Sequence, residues 1–341
     1  MRTGESASVS RDSPRGSGAS RVGALGVPRV VLSGLLCFLG LAFPGKAADV
    51  PPFRFAFAMG LLRQFSENDA RAAMKVWVET LARERGVQAD PSVKIFDSYA
   101  AIETALQEQA VDGVTLPTDQ FWAYGGSNYF NRALFPARGG SMTDEYVLLV
   151  RRNGGLTNLA NLQGRSLAIY AHSIMSLARP WLETELLQNG LPPIARCFAG
   201  TNEFSKLTKV VLPVFFGQLD ACLVDQQGFR VMAELNPQVG TQLRVLACSK
   251  PLIPVAFYFR SGYPAQPQDQ VVNELARLHL TPAGQQVLTV FQTERLVELP
   301  LSCLNDSIQL LKEHRRLCQG TNALVSAATP DRGAETAGGG K

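Results

Sequence analysis

The chain has 341 residues, 46% hydrophobic and 18% charged, enough for a substantial core and for two domains of ordinary size. Its formal charge of +4 comes from the leader: residues 1–47 hold six of the 33 Lys and Arg but two of the 29 Asp and Glu, leaving 27 of each sign from Ala48 onward. The neutral remainder lacks the basic excess that nucleic acid or an anionic membrane surface requires, so no nucleic-acid partner is expected.

The basic leader runs into VVLSGLLCFLGLAF (30–43) and then PGKAADV, with Gly45 and Ala47 at small-residue spacing. This predicts a signal peptide over 1–47, cleaved near Ala47, and a periplasmic protein; the 14 apolar residues are fewer than the roughly 20 that span a bilayer. Cys37 lacks the preceding small residue of a lipid-anchoring site.

FRFAFA (53–58) reads as a strand. A helix follows, capped by Ser66 and closed by Gly86, with Ala70, Met74, Trp77, Val78 and Leu81 on its core face. Strand 92–97, helix 99–109 and strand 113–117 continue a βαβ alternation, which implies a parallel sheet. Phe121, Trp122 and Tyr124 come next, as ligand platforms or, on balance, as packing.

The same grammar returns after a connecting strand (145–152) and a turn at 153–155. Strand 166–170, a helix to Gln188, a strand over IARCFA (194–199), a helix 205–216, the strand LDACLVD (219–225), another helix and the strand LRVLACS (243–249) follow. One more strand (253–260) precedes three helices. The economical arrangement is an α/β protein of two lobes, each a mainly parallel sheet flanked by helices: 48–148 with 253–319, and 149–252. The connecting strands act as hinges, the terminal helices cover the first lobe, and 320–341 form a disordered tail.

Five cysteines follow the leader, an odd number that forbids complete pairing. Cys197, Cys222 and Cys248 fall in predicted buried strands, and Cys303 and Cys318 flank the last helix, where they could pair. The scattered histidines His172, His279 and His314, with no C-x-x-C, support no metal site. With no P-loop, dinucleotide fingerprint, H-E-x-x-H or G-x-S-x-G, no cofactor and no catalytic residue is expected, and binding is favoured over catalysis.

In such sheets ligands meet the strand-to-helix loops, here beginning at Met59, Asp97, Pro117, Ala171, Gly200 and Asp225. The loop in IYAHSIMSLARPW (169–181) offers Ser173 and Ser176, as hydroxyls for an anionic or polar group or as helix caps, and His172, as a donor to ligand or a solvent contact. The Gly200 loop brings Thr201 and Asn202.

The segments DSYAAIETALQEQAVDGVTLPTDQF, NLQGRSLAIY, GQLDACLVD and LTPAGQQVLTVF, in this order, resemble the type II periplasmic substrate-binding proteins of ABC importers, nearest their phosphate, phosphite and phosphonate branch, over about 53–318. The resemblance implies the two-lobed type II fold and makes Tyr99, Thr118 and Asp225 cleft residues, Asp225 as a partner for a ligand amine. It also implies a monomer that closes on a small polar, phosphonate- or phosphate-like ligand and meets a membrane permease or a membrane sensor. Two departures stand out. The branch's Ser-Thr-Ser run is here Ile174, Met175 and Ser176, with Ser173 as a substitute in a shifted register, and its histidine after Gly-Ser is here Asn202. Alternatives are a sensing protein and a lyase on the same scaffold with His172 or Asp225 as general base.

Overall fold

The computed structural model describes residues 51–61 and 67–327, so the expected leader, the Ser66 cap and the tail from 328 onward lie outside the described residues. In chain order the elements are β1 (Phe55–Ala58), α1 (Glu67–Arg85), β2 (Lys94–Phe96), α2 (Tyr99–Gln107), β3 (Gly113–Pro117), α3 (Thr118–Ala123) and β4 (Phe130–Ala137). Next come β5 (Tyr146–Arg151), β6 (Ser166–Tyr170), α4 (Ala178–Gln188), α5 (Ile194–Cys197), β7 (Gly200–Phe204), α6 (Leu207–Phe215), β8 (Ala221–Asp225), α7 (Gln226–Leu235), α8 (Pro237–Gln242) and β9 (Leu243–Cys248). The chain ends with β10 (Val255–Arg260), α9 (Ala265–Ala276), α10 (Pro282–Val290), β11 (Arg295–Leu299) and α11 (Asn305–Ala327).

Two mixed sheets result, ordered β11-β4-β10-β3-β1-β2 and β7-β6-β8-β5-β9, within one compact unit. β1 pairs in parallel with β2 and β3, and β6 with β7 and β8, as βαβ units require. The remaining pairings are antiparallel, because β10 returns against β3 and β4, and β5 enters between β8 and β9. Two of five pairings in the first sheet and two of four in the second are parallel, so the sheets are mixed and not mainly parallel as expected, and their parallel parts carry the ligand-type loops.

Alternation along the strands builds a core on both faces of each sheet. Phe55, Phe57, Phe257 and Phe259 pack with Trp77 of α1 on one face of the first sheet, while Ala56, Leu116 and Tyr258 pack with Ile102 of α2 on the other. Each fully buried phenylalanine contributes roughly 1.5–3 kcal/mol of transfer free energy. In the second sheet, Leu148 and Leu223 face Trp181 of α4, and Leu149 and Val224 face Val210 and Val214 of α6.

Several expectations are corrected. β4 and β11 are strands that the sequence hid: β4 contains Asn131, Arg132 and Pro136, and β11 is a half-exposed edge strand paired antiparallel to it. IARCFA is a helical turn, and the strand follows at Gly200–Phe204. Cys197 is buried in that turn and Cys222 in β8, but Cys248 is exposed at the end of β9; the five cysteines among the described residues are free, so Cys303 and Cys318 form no disulfide. The last helix continues through Gly320 to Ala327. It packs mainly against α4 and also against α3, so it covers the second lobe as much as the first.

β5 pairs along its whole length inside the second sheet. The crossings between sheets are therefore the short segments 138–145 and 249–254, tied to each other by reciprocal backbone bonds between Asp144 and Leu252 (2.7 and 2.9 Å).

Candidate functional site

Carboxyl edges of both sheets open onto one cleft of about 800 Å³. The first sheet contributes Ala58, Gly60, Asp97, Ser98, Tyr99 and Pro117, the second Tyr170 to Ser173, Ser176, Arg179, Glu203 and Ser205. On the first side Ser98 caps α2, its hydroxyl accepting from the Ala101 N–H at 3.2 Å. That cap sets Tyr99 on the first turn with its hydroxyl over Gly60, where an added Cβ would lie 3.5 Å from it. The Tyr124 hydroxyl donates to the Tyr99 carbonyl and holds the turn from below.

On the second side β6 ends at Tyr170, whose ring stacks on His172 with centroids 5.2 Å apart. His172 caps the short turn Ser173–Met175: its Nδ1 accepts from the Ile174 N–H at 3.3 Å, which assigns the proton of the neutral ring to Nε2. Burial first, then the charge of Arg138, holds the imidazole below its ordinary pKa, against the opposing pull of Asp225 and a hydrogen bond with Gln292. His172 is thus neutral near pH 7 and touches the first lobe through Gln292, whose backbone sits at φ 50°. Ile174 and Met175 are both largely buried in the core; of the two positions that depart from Ser-Thr-Ser, Ile174 is outside the cleft lining while Met175 contributes an apolar surface to it, and Ser173 and Ser176 supply the hydroxyls there.

Of the predicted site residues, the structure brings Tyr99, His172, Ser173 and Ser176 together in this cleft. Ser176 donates to the Pro254 carbonyl at 2.9 Å. Thr118 is fully buried and outside the lining; its hydroxyl donates to the Ile253 carbonyl at 2.6 Å, and Pro117 takes its place at the wall. Thr201 and Asn202 are exposed within the edge strand β7, paired with Leu167 and Ala168. A strand advances about 3.3 Å per residue, so they stand several ångströms behind the rim, where Glu203 and Ser205 sit.

Asp225 is buried and caps α7, accepting from the Gly228 N–H at 2.6 Å. It lines a separate compartment of about 370 Å³ on the far side of His172, shared with Arg138, Tyr170 and Gln292. A polar recess of about 280 Å³ continues from there past Arg138, Asp144 and Arg230. Burial, then the charge of Asp225, pushes the Asp144 carboxyl up to about 6 despite its ion pair with Arg138.

Sequence reasoning missed Arg179 and Glu203, which form an ion pair of 2.6 Å across the wall. Arg179 lies three residues beyond Ser176, one helical turn along the same face, and that spacing was the available signal. The cleft lining holds no cluster of metal-ligating side chains among the described residues.

A family model described as the periplasmic substrate-binding protein of phosphonate ABC transporters matches residues 59–302. The chain belongs to this family. Members are substrate-binding proteins that work with the membrane permease of an ABC importer from the periplasm. Solved structures give the same fold. A Xanthomonas citri protein bound to chloride ion is 16% identical, with TM-score 0.58, covering 79% of this chain and 99% of its own. A binding protein component of an ABC phosphonate transporter from Pseudomonas aeruginosa is 16% identical, with TM-score 0.54, covering 84% and 92%. A Prochlorococcus marinus protein in complex with methylphosphonate is 14% identical, with TM-score 0.54, covering 77% and 98%. No curated protein sequence matches the chain. Among the described residues of this binding protein, no helix is long and apolar enough to cross a membrane.

Proposed function

We propose that this binding protein captures a small anionic ligand of the phosphonate or phosphate kind in the cleft between Tyr99 and the His172–Ser176 turn, without breaking a bond in it. The observation that carries the reading is the meeting of two helix N-termini, α2 behind Ser98 and α4 behind Ser176, on opposite walls of one cavity. Helix N-termini present unpaired N–H groups and a partial positive charge, and Arg179 adds a full charge at the first turn of α4. Glu203 balances Arg179 and Asp97 faces the same space, which favours a ligand with a cationic or neutral portion beside its anionic group.

The lobes move about the segments 138–145 and 249–254, and ligand contacts on both walls favour the closed population. The protein acts as an exported monomer, its leader removed near Ala47, and delivers the ligand to its permease. Isothermal titration with methylphosphonate, phosphate and 2-aminoethylphosphonate, paired with small-angle scattering, tests this. Binding of one equivalent with a smaller radius of gyration supports capture by closure; heat without contraction, or no heat with any of the three, overturns it.

A further inference from the structure

Away from the cleft, α4 and α11 pack together and bring one acid, one imidazole and one thiol into a single cluster. His314 and Cys318 are four residues apart on α11, hence on one face, and Glu183 projects from the middle of α4. His314 Nε2 lies 2.9 Å from Glu183 Oε2 and 3.4 Å from Cys318 Sγ, and the three ligand atoms all lie within 4.8 Å of one another. We propose that Glu183, His314 and Cys318 form a binding site for a thiophilic divalent cation such as Zn²⁺, pinning α11 to the second lobe.

The geometry is near what the ion needs. Bonds of about 2.3 Å to sulfur and about 2.0–2.2 Å to nitrogen and oxygen, at tetrahedral angles, put ligand atoms roughly 3.4–3.6 Å apart. The sulfur–nitrogen separation already has that value, and a small torsional change separates Nε2 from Oε2 enough to admit the cation. Thiolate with imidazole selects zinc over the hard cations calcium and magnesium, and solvent fills the fourth position. Side-chain exposures of 24% for His314 and 23% for Glu183 leave the cluster sheltered yet reachable from solution. On binding, the Cys318 thiol proton and any imidazolium proton of His314 are released to solvent, the thiolate and the imidazole nitrogen bind the metal, and the carboxylate exchanges its imidazole partner for the metal.

The helices matter for what such an ion does. α11 begins beside the crossing, where the Ser307 hydroxyl accepts from the Ile253 N–H at 2.8 Å, and further along Arg315 stacks over Trp122 of α3 at 3.9 Å. The N-terminal turn of α4 carries Arg179 into the cleft. A cation at Glu183 therefore ties the cleft-forming helix of one lobe to the helix that braces the other.

Reduced, chelator-stripped mature protein titrated with Zn²⁺ alone is expected to take up one equivalent with a raised melting temperature, and Co²⁺ is expected to give a thiolate-to-metal charge-transfer absorption. Cys318→Ser is expected to abolish that absorption, and Glu183→Gln to weaken Zn²⁺ binding at least tenfold, whereas Cys303→Ser changes neither. Absence of the Co²⁺–thiolate absorption in the unsubstituted protein overturns the proposal whether or not the variants fold. Undiminished Zn²⁺ affinity in folded Cys318→Ser or Glu183→Gln overturns it as well.

Discussion

Ser176 donates its hydroxyl to the carbonyl of Pro254 at 2.9 Å, joining the ligand-side turn of the second lobe to the segment that crosses back to the first. The same carbonyl accepts from the Thr118 N–H at 2.8 Å, so one oxygen gathers the third loop of one lobe and the first loop of the other. A ligand that pulls on the His172–Ser176 turn thereby acts on the crossing itself.

Ser176→Ala and Thr118→Val separate the two halves of this junction. Ser176→Ala is expected to cost about 1 kcal/mol, because the Pro254 carbonyl keeps its Thr118 partner. Thr118→Val is expected to cost about 1–3 kcal/mol, because the Ile253 carbonyl in a buried setting loses a side-chain donor. Urea denaturation measures both. Hydrogen exchange at 253–255 is expected to rise in each variant, and unchanged exchange in both would show that the crossing is held elsewhere.

The acid Asp144 makes the crossing sensitive to pH. Its pKa in the fold, raised from 3.8 to about 6, favours the protonated form. Its contribution to stability is therefore fully present below 3.8 and is lost as the pH rises through about 6, by up to roughly 3 kcal/mol at 1.36 kcal/mol per pKa unit. Asp144→Asn removes this dependence, so the difference between variant and parent is expected to grow in the variant's favour from pH 4 to pH 6.5. His172 runs the other way: its lowered pKa gives stability that is present above about 6.5 and lost as the pH falls through the folded value. Denaturation midpoints across this range check both slopes.

Asp225 has two separable roles, cap and charge. Asparagine caps as well as aspartate, so Asp225→Asn is expected to keep stability within about 0.5 kcal/mol while Asp225→Ala loses about 1 kcal/mol through the Gly228 bond. Where Asp225 pairs with a ligand amine in the compartment behind His172, both variants lose that charge and are expected to bind 2-aminoethylphosphonate more weakly. Methylphosphonate, which has no amine, is then expected to bind each as before. Equal losses for both ligands would confine Asp225 to its structural role.

The cleft walls were legible where an element boundary announces itself. The apolar run ending at Tyr170 and the change to helical spacing expose His172, Ser173 and Ser176, whereas Tyr99 is marked only by the family resemblance, its Ser98 cap emerging in the structure. Thr118 was misplaced because nothing local tells that its hydroxyl finds the Ile253 carbonyl 135 residues away. Thr201 and Asn202 were misplaced because GTNEF, polar at an exposed sheet edge, reads as loop, which shifted the rim from Ser205 back to Gly200. β4 and β11 escaped for the same reason: polar residues and Pro136 blur alternation that only pairing restores. The meeting of Glu183 with His314 joins positions 131 residues apart, and spacing rules operate within one element.

The ion pair of Arg179 and Glu203 gives the sharpest test of which charge the cleft selects. Both side chains are partly exposed, 43% and 47%, so the pair adds little to stability and its partners remain available to a ligand. Arg179→Gln removes the cation from the α4 terminus and is expected to weaken methylphosphonate about tenfold, some 1.4 kcal/mol. Glu203→Gln releases Arg179 from its partner and removes a like charge facing the anion, so affinity is expected to rise a few-fold and to become more sensitive to salt. Titrations at two ionic strengths measure both effects. The opposite pattern, with Glu203→Gln weakening binding and Arg179→Gln leaving it unchanged, would mean that the carboxylate is the recognising group and that the ligand presents a cation to this wall.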